Sequence, residues 1–529
     1  MRANAPMAST PAAQGAALRR HGADAGGGAH EGGEGCPVFA VLVIFCAGVA
    51  VLLAGVGGGL ANILYVVLAA GAGFALHARS PAAYVSFTLW LWFVTPFVRR
   101  VLDMHHGWAP TSPTLLAPLA VALISMATLL GRGRELRGIL YAPFLLVFMA
   151  LVYGYAVGLI TTGVIPATYA LATWVAPVLL GLYVAIHWRR YPEFARAVRA
   201  TFIVALPILA AYGIYQFVKL PRWDAQWMTN ADLRSIGDPR PFAARVFSTL
   251  NTPGPFGAFL CAGSLMLLGT RSRLRFVGIA LAVVSLLLTR TRAAWGAFVI
   301  GLIVQRMGQP LRNLPRYAAT LVAVAIVAIP IARTPSFSAL ILPRIKTLTN
   351  LSRDNSFTNR YNFSLSAAAT IAETAEGGGL GATGGAVKLR GGEGVRSLDN
   401  GFLEVFYVFG WPGGTLFFLG LFLLVLQSAR FRETRVDPFA NAARATAVAL
   451  IAMLPIGDVF TGSTGTLIWV CGGLGIAGHA YHLTTGQALR SARARAALDA
   501  ATAVAPRPLV AADAGAGALA VAGAGTGKG

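Results

Sequence analysis

Charge is scarce in this sequence. Only 12% of the 529 residues are charged while 56% are hydrophobic, a balance that excludes an ordinary soluble globular protein and points to an integral membrane protein. Strict polar–apolar alternation is missing from the apolar runs, which argues against a closed β-barrel. The four cysteines, Cys36, Cys46, Cys261 and Cys471, show neither a CxxC spacing nor a partner histidine. A disulfide framework or a zinc site is therefore not expected, and they read as small apolar packing groups. Residues 1–37 lack the compact basic-then-apolar start and small-residue cleavage site of a secretory signal, so the first apolar run is expected to be kept.

What is present is a succession of apolar runs, each about as long as a helix must be to cross a bilayer of roughly 30 Å. They fall near 38–55, 60–77, 83–98, 112–130, 139–159, 164–187, 200–218, 254–269, 276–289, 293–305, 317–333, 401–427, 445–459 and 464–482. The expected fold is all-α: a polytopic integral membrane bundle of about 12–14 transmembrane helices with a long, partly helical periplasmic loop. Residues 1–37 and the Ala/Gly/Val-rich 484–529 read as disordered tails, leaving 38–483 as the transmembrane domain.

The net charge of +23 invites a nucleic-acid reading, and the positions of the charges reject it. Arg79, then Arg132, Arg134 and Arg137, then Arg189, Arg190, Arg196 and Arg199 follow every second span. The alternation continues at Arg271, Arg273 and Arg275, at Arg306, Arg312 and Arg316, and at Arg430, Arg432 and Arg435. This is the positive-inside pattern, and it puts both termini in the cytoplasm.

The basic residues left on the outer side carry the functional information. Two outer loops are long, 219–253 and 334–400, and loops of that length are usually functional or disordered. Arg245 precedes a helix opened by Pro253 and Pro255. Arg290 and Arg292 lie in LLLTRTRAAWGAF, and Arg353 and Arg360 lie in SRDNSFTNRYNFSLSAAATIAE. A glycine-rich GGGLGATGG follows, and the second loop closes with SLDNGFLEVF, carrying Asp399, Asn400, Gly401 and Glu404.

Simpler readings stand beside these. Arginines at helix ends snorkel to lipid headgroups. Asp399 or Asn400 serves as an N-cap, and Glu404 favours the positive end of a helix dipole. The glycine-rich stretch lacks the terminal Gly-Lys-Ser/Thr of a phosphate loop. Asp103, His105 and His106 in DMHHGW have no third or fourth ligand placed by the sequence, so no metal site is expected. Against these stands the convergence of Arg245, Arg292, Arg360 and Asp399 on one side of one bundle.

The order TRTRAAW (289–295), NRYNFSLSAAATIAE (359–373), GGGLGATGG and DNGFLEVFYVFGWPGG resembles the O-antigen ligase and polymerase superfamily over about residues 240–430. These are bacterial inner-membrane glycosyltransferases that use undecaprenyl-diphosphate-linked glycans. The resemblance implies that Arg292 and Arg360 are the two functional arginines. It also implies a periplasmic active face, a glycan, lipid or protein acceptor, and other polysaccharide-assembly proteins as possible partners. Asp399 stands where ligases commonly carry His before the Asn, which favours repeat-unit polymerisation, or another ligase subtype, over lipopolysaccharide ligation.

That chemistry matches the residue types. A departing diphosphate is stabilised by positive charge, and the arginine fork bonds phosphate oxygens in a bidentate way. Each well-placed donor contributes on the order of 3–4 kcal/mol to the transition state. Arg245, Arg290 and Arg353 are further substrate-binding candidates, and the free amides near Gly401 extend the anion site. Asp399 is the candidate base or orienting group for the acceptor hydroxyl, with Glu404 second and Asn400 holding a sugar hydroxyl. No metal or cofactor is expected. Trp223, Trp227, Phe357, Tyr361 and Tyr407 are candidates for sugar-stacking surfaces, with core packing as the simpler role. Two other classes remain open: a polytopic transporter or lipid-linked glycan flippase, and a non-catalytic scaffold of an export complex. The lack of an internal repeat and the outward clustering of polar residues weigh against transport.

Overall fold

The computed structural model describes residues 35–307 without 134, 232–235 and 271, then 315, 318, 319, 322, 365–391, 398, 400–431 and 437–504; side chains are described for all of these except 35, 36, 137 and 487–504. The helices are α1 (Gly35–Leu53), α2 (Ala61–Arg79), α3 (Pro81–His106), α4 (Ala117–Leu130), α5 (Ala142–Thr161), α6 (Val164–Ile186) and α7 (Tyr191–Lys219). They continue as α8 (Arg222–Asn230), α9 (Pro253–Leu268), α10 (Leu274–Leu288), α11 (Arg292–Met307), α12 (Gly401–Arg430), α13 (Pro438–Ile451) and α14 (Gly462–Val504). A further helical stretch covers 365–373. Every span expected from the sequence falls on one of these helices except 317–333, of which only residues 318, 319 and 322, all helical, are described. There is no strand among the described residues.

Among the described residues, eight helical segments are long and apolar enough to cross a membrane, and α1, α9 and α10 are shorter apolar helices. Large apolar side chains such as Leu130, Ile139 and Ile160 project outward, as a lipid-facing surface requires. Between helices the contacts are made by small residues. α13 buries a run of alanines from Ala440 to Ala449, and Gly181 of α6 lies backbone to backbone against Gly473 of α14. Without a hydrophobic drive between helices in lipid, this close approach supplies the packing energy. The chain divides after His482; the second unit, Leu483–Gly529, is helical through Val504, and the site below belongs to the first.

The 219–253 loop folds back on the bundle as its aromatics and apolar residues suggest. Leu220, Trp227, Met228, Ile236 and Phe247 form a small core of their own. A buried ion pair pins it: Arg100 Nη1 meets Asp224 Oδ1 at 2.8 Å, both side chains fully buried. Tyr212 and Gln216 donate to the other carboxylate oxygen, and Arg100 also donates to the Ser248 carbonyl. Trp223 donates its indole N–H to the Tyr212 hydroxyl. Trp223 and Trp227 are thus packed into this assembly, the simpler of the two roles considered for them.

Candidate functional site

The site begins with a helix that cannot stay regular. α12 contains Gly410-Trp411-Pro412-Gly413-Gly414, and Gly410 adopts φ 59°, ψ −168°, a backbone state open to glycine and costly for other residues. Pro412 has no N–H, so the Val408 carbonyl loses its helical donor. The kink also turns the Trp411 N–H away from the helix, and it donates to the Ala375 carbonyl instead.

The glycine-rich stretch fills the gap. Gly378 N–H donates to the Tyr407 carbonyl at 2.8 Å and Gly379 N–H to the Val408 carbonyl at 2.9 Å. On the other side, Leu380 N–H donates to the Gly154 carbonyl of α5, and the Thr161 and Thr162 hydroxyls donate to the Gly378 and Leu380 carbonyls. Irregular backbone inside a membrane bundle is tolerated where protein satisfies it in this way. Gly377 and Gly379 have positive φ, and each lies backbone to backbone against Gly410 and Gly158 respectively. GGGLGATGG is therefore a strap wedged between α5 and α12.

The end of the strap forms one wall of a cavity of about 270 Å³, just below the roughly 300–1,000 Å³ of small-molecule sites. Thr383 from the strap, Glu404 from the first turn of α12 and Asp458, in the loop between α13 and α14, all belong to its lining. Trp92 of α3 with Tyr169 and Trp174 of α6 supply aromatic walls. Asn251, just before α9, adds an amide. No Lys or Arg belongs to the lining among the described residues.

Glu404 is 4% exposed. Thr383 donates its hydroxyl to Oε1 at 3.1 Å, while Oε2 has no hydrogen-bond partner among the described residues. Asp458 lies close enough for its charge to act on Glu404. Asp458 accepts from the Phe460 N–H at 3.0 Å on one oxygen and from the Thr461 hydroxyl at 2.7 Å on the other. Its side chain is exposed and lines the cavity. Desolvation by the surrounding protein pushes its carboxyl above the ordinary carboxylate range, against the opposing pull of Thr461 and the Phe460 N–H.

Three of the sequence-selected arginines gather at the same end of the bundle. Arg245 Nε donates to the Thr289 carbonyl at 3.0 Å, and its Nη2 reaches Thr291 Oγ1 at 3.2 Å and the Arg290 carbonyl at 3.4 Å. These acceptors end α10, so Arg245 caps a helix C-terminus. Arg290 turns the chain with φ 51°, and Arg292 opens α11. All three stand outside the cavity lining. Asn400 accepts from the Phe402 and Leu403 N–H groups as the N-cap of α12, and Gly401 packs closely on the Gly457 carbonyl. Arg353, Arg360 and Asp399, with Phe357 and Tyr361, lie outside the described residues.

Sequence reading passed over Asp458 and Thr383. The signal for Asp458 was an acid in GDVFTG at the end of an apolar run, the same incongruity that marked Glu404. Among the described residues no group of three or more His, Cys, Asp or Glu is placed to hold a metal. Compared with known proteins, the chain matches no family model and no curated protein.

Proposed function

We propose that the protein is a membrane glycosyltransferase working at the periplasmic face on an undecaprenyl-diphosphate-linked oligosaccharide, extending a surface or exopolysaccharide or passing a finished glycan to an acceptor. The observation that carries this reading is the pairing, at one end of the bundle, of a carboxyl- and aromatic-lined cavity with a separate arginine cluster. The two halves match the two halves of the reaction. Aromatics, hydroxyls and carboxyls suit sugars, and arginines suit a diphosphate.

In the step proposed, an acceptor hydroxyl gives its proton to the Glu404 carboxylate while its oxygen bonds to the donor's anomeric carbon. The bond from that carbon to the diphosphate breaks, and polyprenyl diphosphate leaves with the electron pair. Arg245, Arg290 and Arg292, together with Arg353 and Arg360 from the second long loop, supply the positive field for the leaving group. Thr383 holds one oxygen of the Glu404 carboxyl, and the other has no hydrogen-bond partner among the described residues. Asp399 is the other carboxyl that the sequence offers for the base.

Deletion of the gene, followed by electrophoresis of surface glycans and analysis of lipid-linked intermediates, tests the reading. A ladder collapsing to one repeat means a polymerase; long chains stranded on the carrier mean a ligase. Complementation with Arg360→Lys keeps the charge and loses the fork, and poor rescue is expected; full wild-type chain length with that substitution would count against the phosphate-clamp role. An unchanged glycan profile and carrier pool after deletion overturns the reading.

One observation favours a second reading. A broken helix packed on irregular backbone beside a buried acid is also a transporter device. In sealed vesicles a transporter moves substrate without forming a glycosidic bond.

A further inference from the structure

The charge alternation alone accounts for basic residues at the end of the bundle that it assigns to the cytoplasm, and some of them are also occupied by protein. Arg79 donates to the Ala75 carbonyl, Arg275 to the Thr270 carbonyl, and Arg444 to the Val304 carbonyl and the Asn441 side chain. Arg132, Arg189 and Arg190 differ. Their guanidinium groups make no hydrogen bond to a described residue, and the acid that meets one of them, Glu135, stands 3.9 Å from Arg132 with both side chains well open to water. An exposed pair at that distance balances little charge.

Packing gathers the three from two separate connections. α4 and α6 lie side by side. His77 Nε2 is 2.7 Å from the hydroxyl of Thr128, one turn before Arg132. The His77 ring meets Tyr183 of α6 with centroids 5.5 Å apart, and Tyr183 lies 4.4 Å from the ring of His187, whose backbone carbonyl accepts the Arg190 N–H. Arg132 and Arg190 are thus both within electrostatic reach of Tyr183 and His187, and Arg132 and Arg189 both reach Tyr141. Burial first, and then Arg132, Arg190 and His77, hold the His187 imidazole below its ordinary range, against the pull of its bond to the Tyr183 carbonyl. Like charge gathers here around one weak counter-ion, which is a setting that an anion stabilises.

The surroundings say which anion. Arg189 lies over the Trp188 ring at 4.7 Å, and a tryptophan between two spans marks the level of the headgroups. Leu130, which ends α4, and Ile139, just before α5, are large apolar side chains left exposed on either side of Arg132 in the chain. Guanidinium forks bond phosphate oxygens in pairs. Acyl chains suit the apolar side chains beside them. A basic site between spans at this depth fits a phosphate-bearing headgroup whose tails stay in the bilayer.

We propose that Arg132, Arg189 and Arg190 hold the headgroup phosphate of an anionic phospholipid, which clamps the α4–α5 connection to the α6–α7 connection. The site lies at the far end of α6 from Tyr169 and Trp174 of the cavity wall, and it does not rest on the glycosyltransferase reading.

The test uses the full-length protein in detergent micelles, with phosphatidylglycerol or phosphatidylcholine titrated in. Native mass spectrometry reads the bound lipid, and the thermal midpoint reads its effect on the fold. Phosphatidylglycerol is expected to bind about ten-fold or more tightly than phosphatidylcholine, whose choline ammonium opposes the arginines. Arg132→Gln and Arg190→Gln should each weaken phosphatidylglycerol about ten-fold. Arg273→Gln, which removes an exposed arginine from the α9–α10 connection, should leave it unchanged. Equal affinity of the unaltered protein for the two lipids overturns the proposal, whether or not the variants fold. An equal loss with Arg273→Gln overturns it too, since affinity would then follow overall charge. So does stabilisation by inorganic phosphate to the same midpoint, because the ligand would then be a free anion and not a lipid.

Discussion

Thr383 donates its hydroxyl to Glu404 Oε1 across 3.1 Å, so the end of the glycine strap and the first turn of α12 are joined at the cavity wall. The bond holds one carboxyl oxygen of Glu404 and leaves the other without a hydrogen-bond partner among the described residues.

Replacing Thr383 by Val removes the donor and keeps the shape. A hydrogen bond to a charged group contributes roughly 1.5–3 kcal/mol, so glycan transfer measured on lipid-linked substrate should fall about ten-fold or more. Thr383→Ser, which keeps the hydroxyl, should restore most of the rate. Equal rates for the Val and Ser variants would leave the bond without a part in the reaction.

Gly158 lies where an added Cβ would press on the Leu380 carbonyl of the strap, which is backbone and cannot swing away. Gly158→Ala should therefore lower stability by about 1–3 kcal/mol, the usual cost of overpacking, and should widen the cavity. Gly71, exposed on α2 with open space around it, is the control: Gly71→Ala should leave the thermal midpoint in detergent unchanged or slightly raised.

The Arg100–Asp224 pair predicts a cycle of variants. Removing either partner leaves a buried charge alone, which costs roughly 3–5 kcal/mol. Arg100→Leu and Asp224→Ala should each loosen the 219–253 loop, seen as faster proteolysis there. The double variant should recover part of the loss, because no unpaired charge remains.

Asp437, beside the membrane span, caps α13 and accepts from Tyr191 at 2.6 Å and from His482 at 3.0 Å. Burial raises its proton affinity, and the bonds from His482, Tyr191 and the Phe439 N–H outweigh that, so the carboxyl sits below its ordinary value. A depressed carboxyl gives stability that is complete above the unfolded value and lost as pH falls through the folded one. Stability should thus drop as the pH is taken below about 4. Asp437→Asn should flatten that dependence while lowering stability at neutral pH. Parallel acid titrations by thermal unfolding would show it, and parallel curves for the two proteins would refute it.

The sequence makes the helices legible because a bilayer demands long apolar runs and leaves their signature uncompensated: the run beginning at Gly401 and the one beginning near Gly462 both stand where the pattern places them. Arg245, Arg290 and Arg292 were legible as one group, since breaking the charge alternation marks them out. Pairings set by three-dimensional packing were not. Nothing near Asp224 in the chain announces Arg100, and Asp458 stays hidden inside the expected span 445–459 until the fold places it in the same cavity lining as Glu404. The strap read as a turn, because its hydrogen-bond partners, Tyr407 and Val408, look like ordinary helix interior. Pro412 held the clue, since it strips the Val408 carbonyl of a donor.

That missing donor links bending to shape. Of the two carbonyls from which the strap hangs, Val408 is free because of Pro412, and Tyr407 is free only while α12 stays broken at Gly410. Straightening the helix would reclaim the Tyr407 carbonyl for Trp411 and evict Gly378, and Thr383 would travel with it away from Glu404. The angle of one helix thereby sets the width of the chamber, so lipids or neighbours that flex α12 act on the wall without ever touching it.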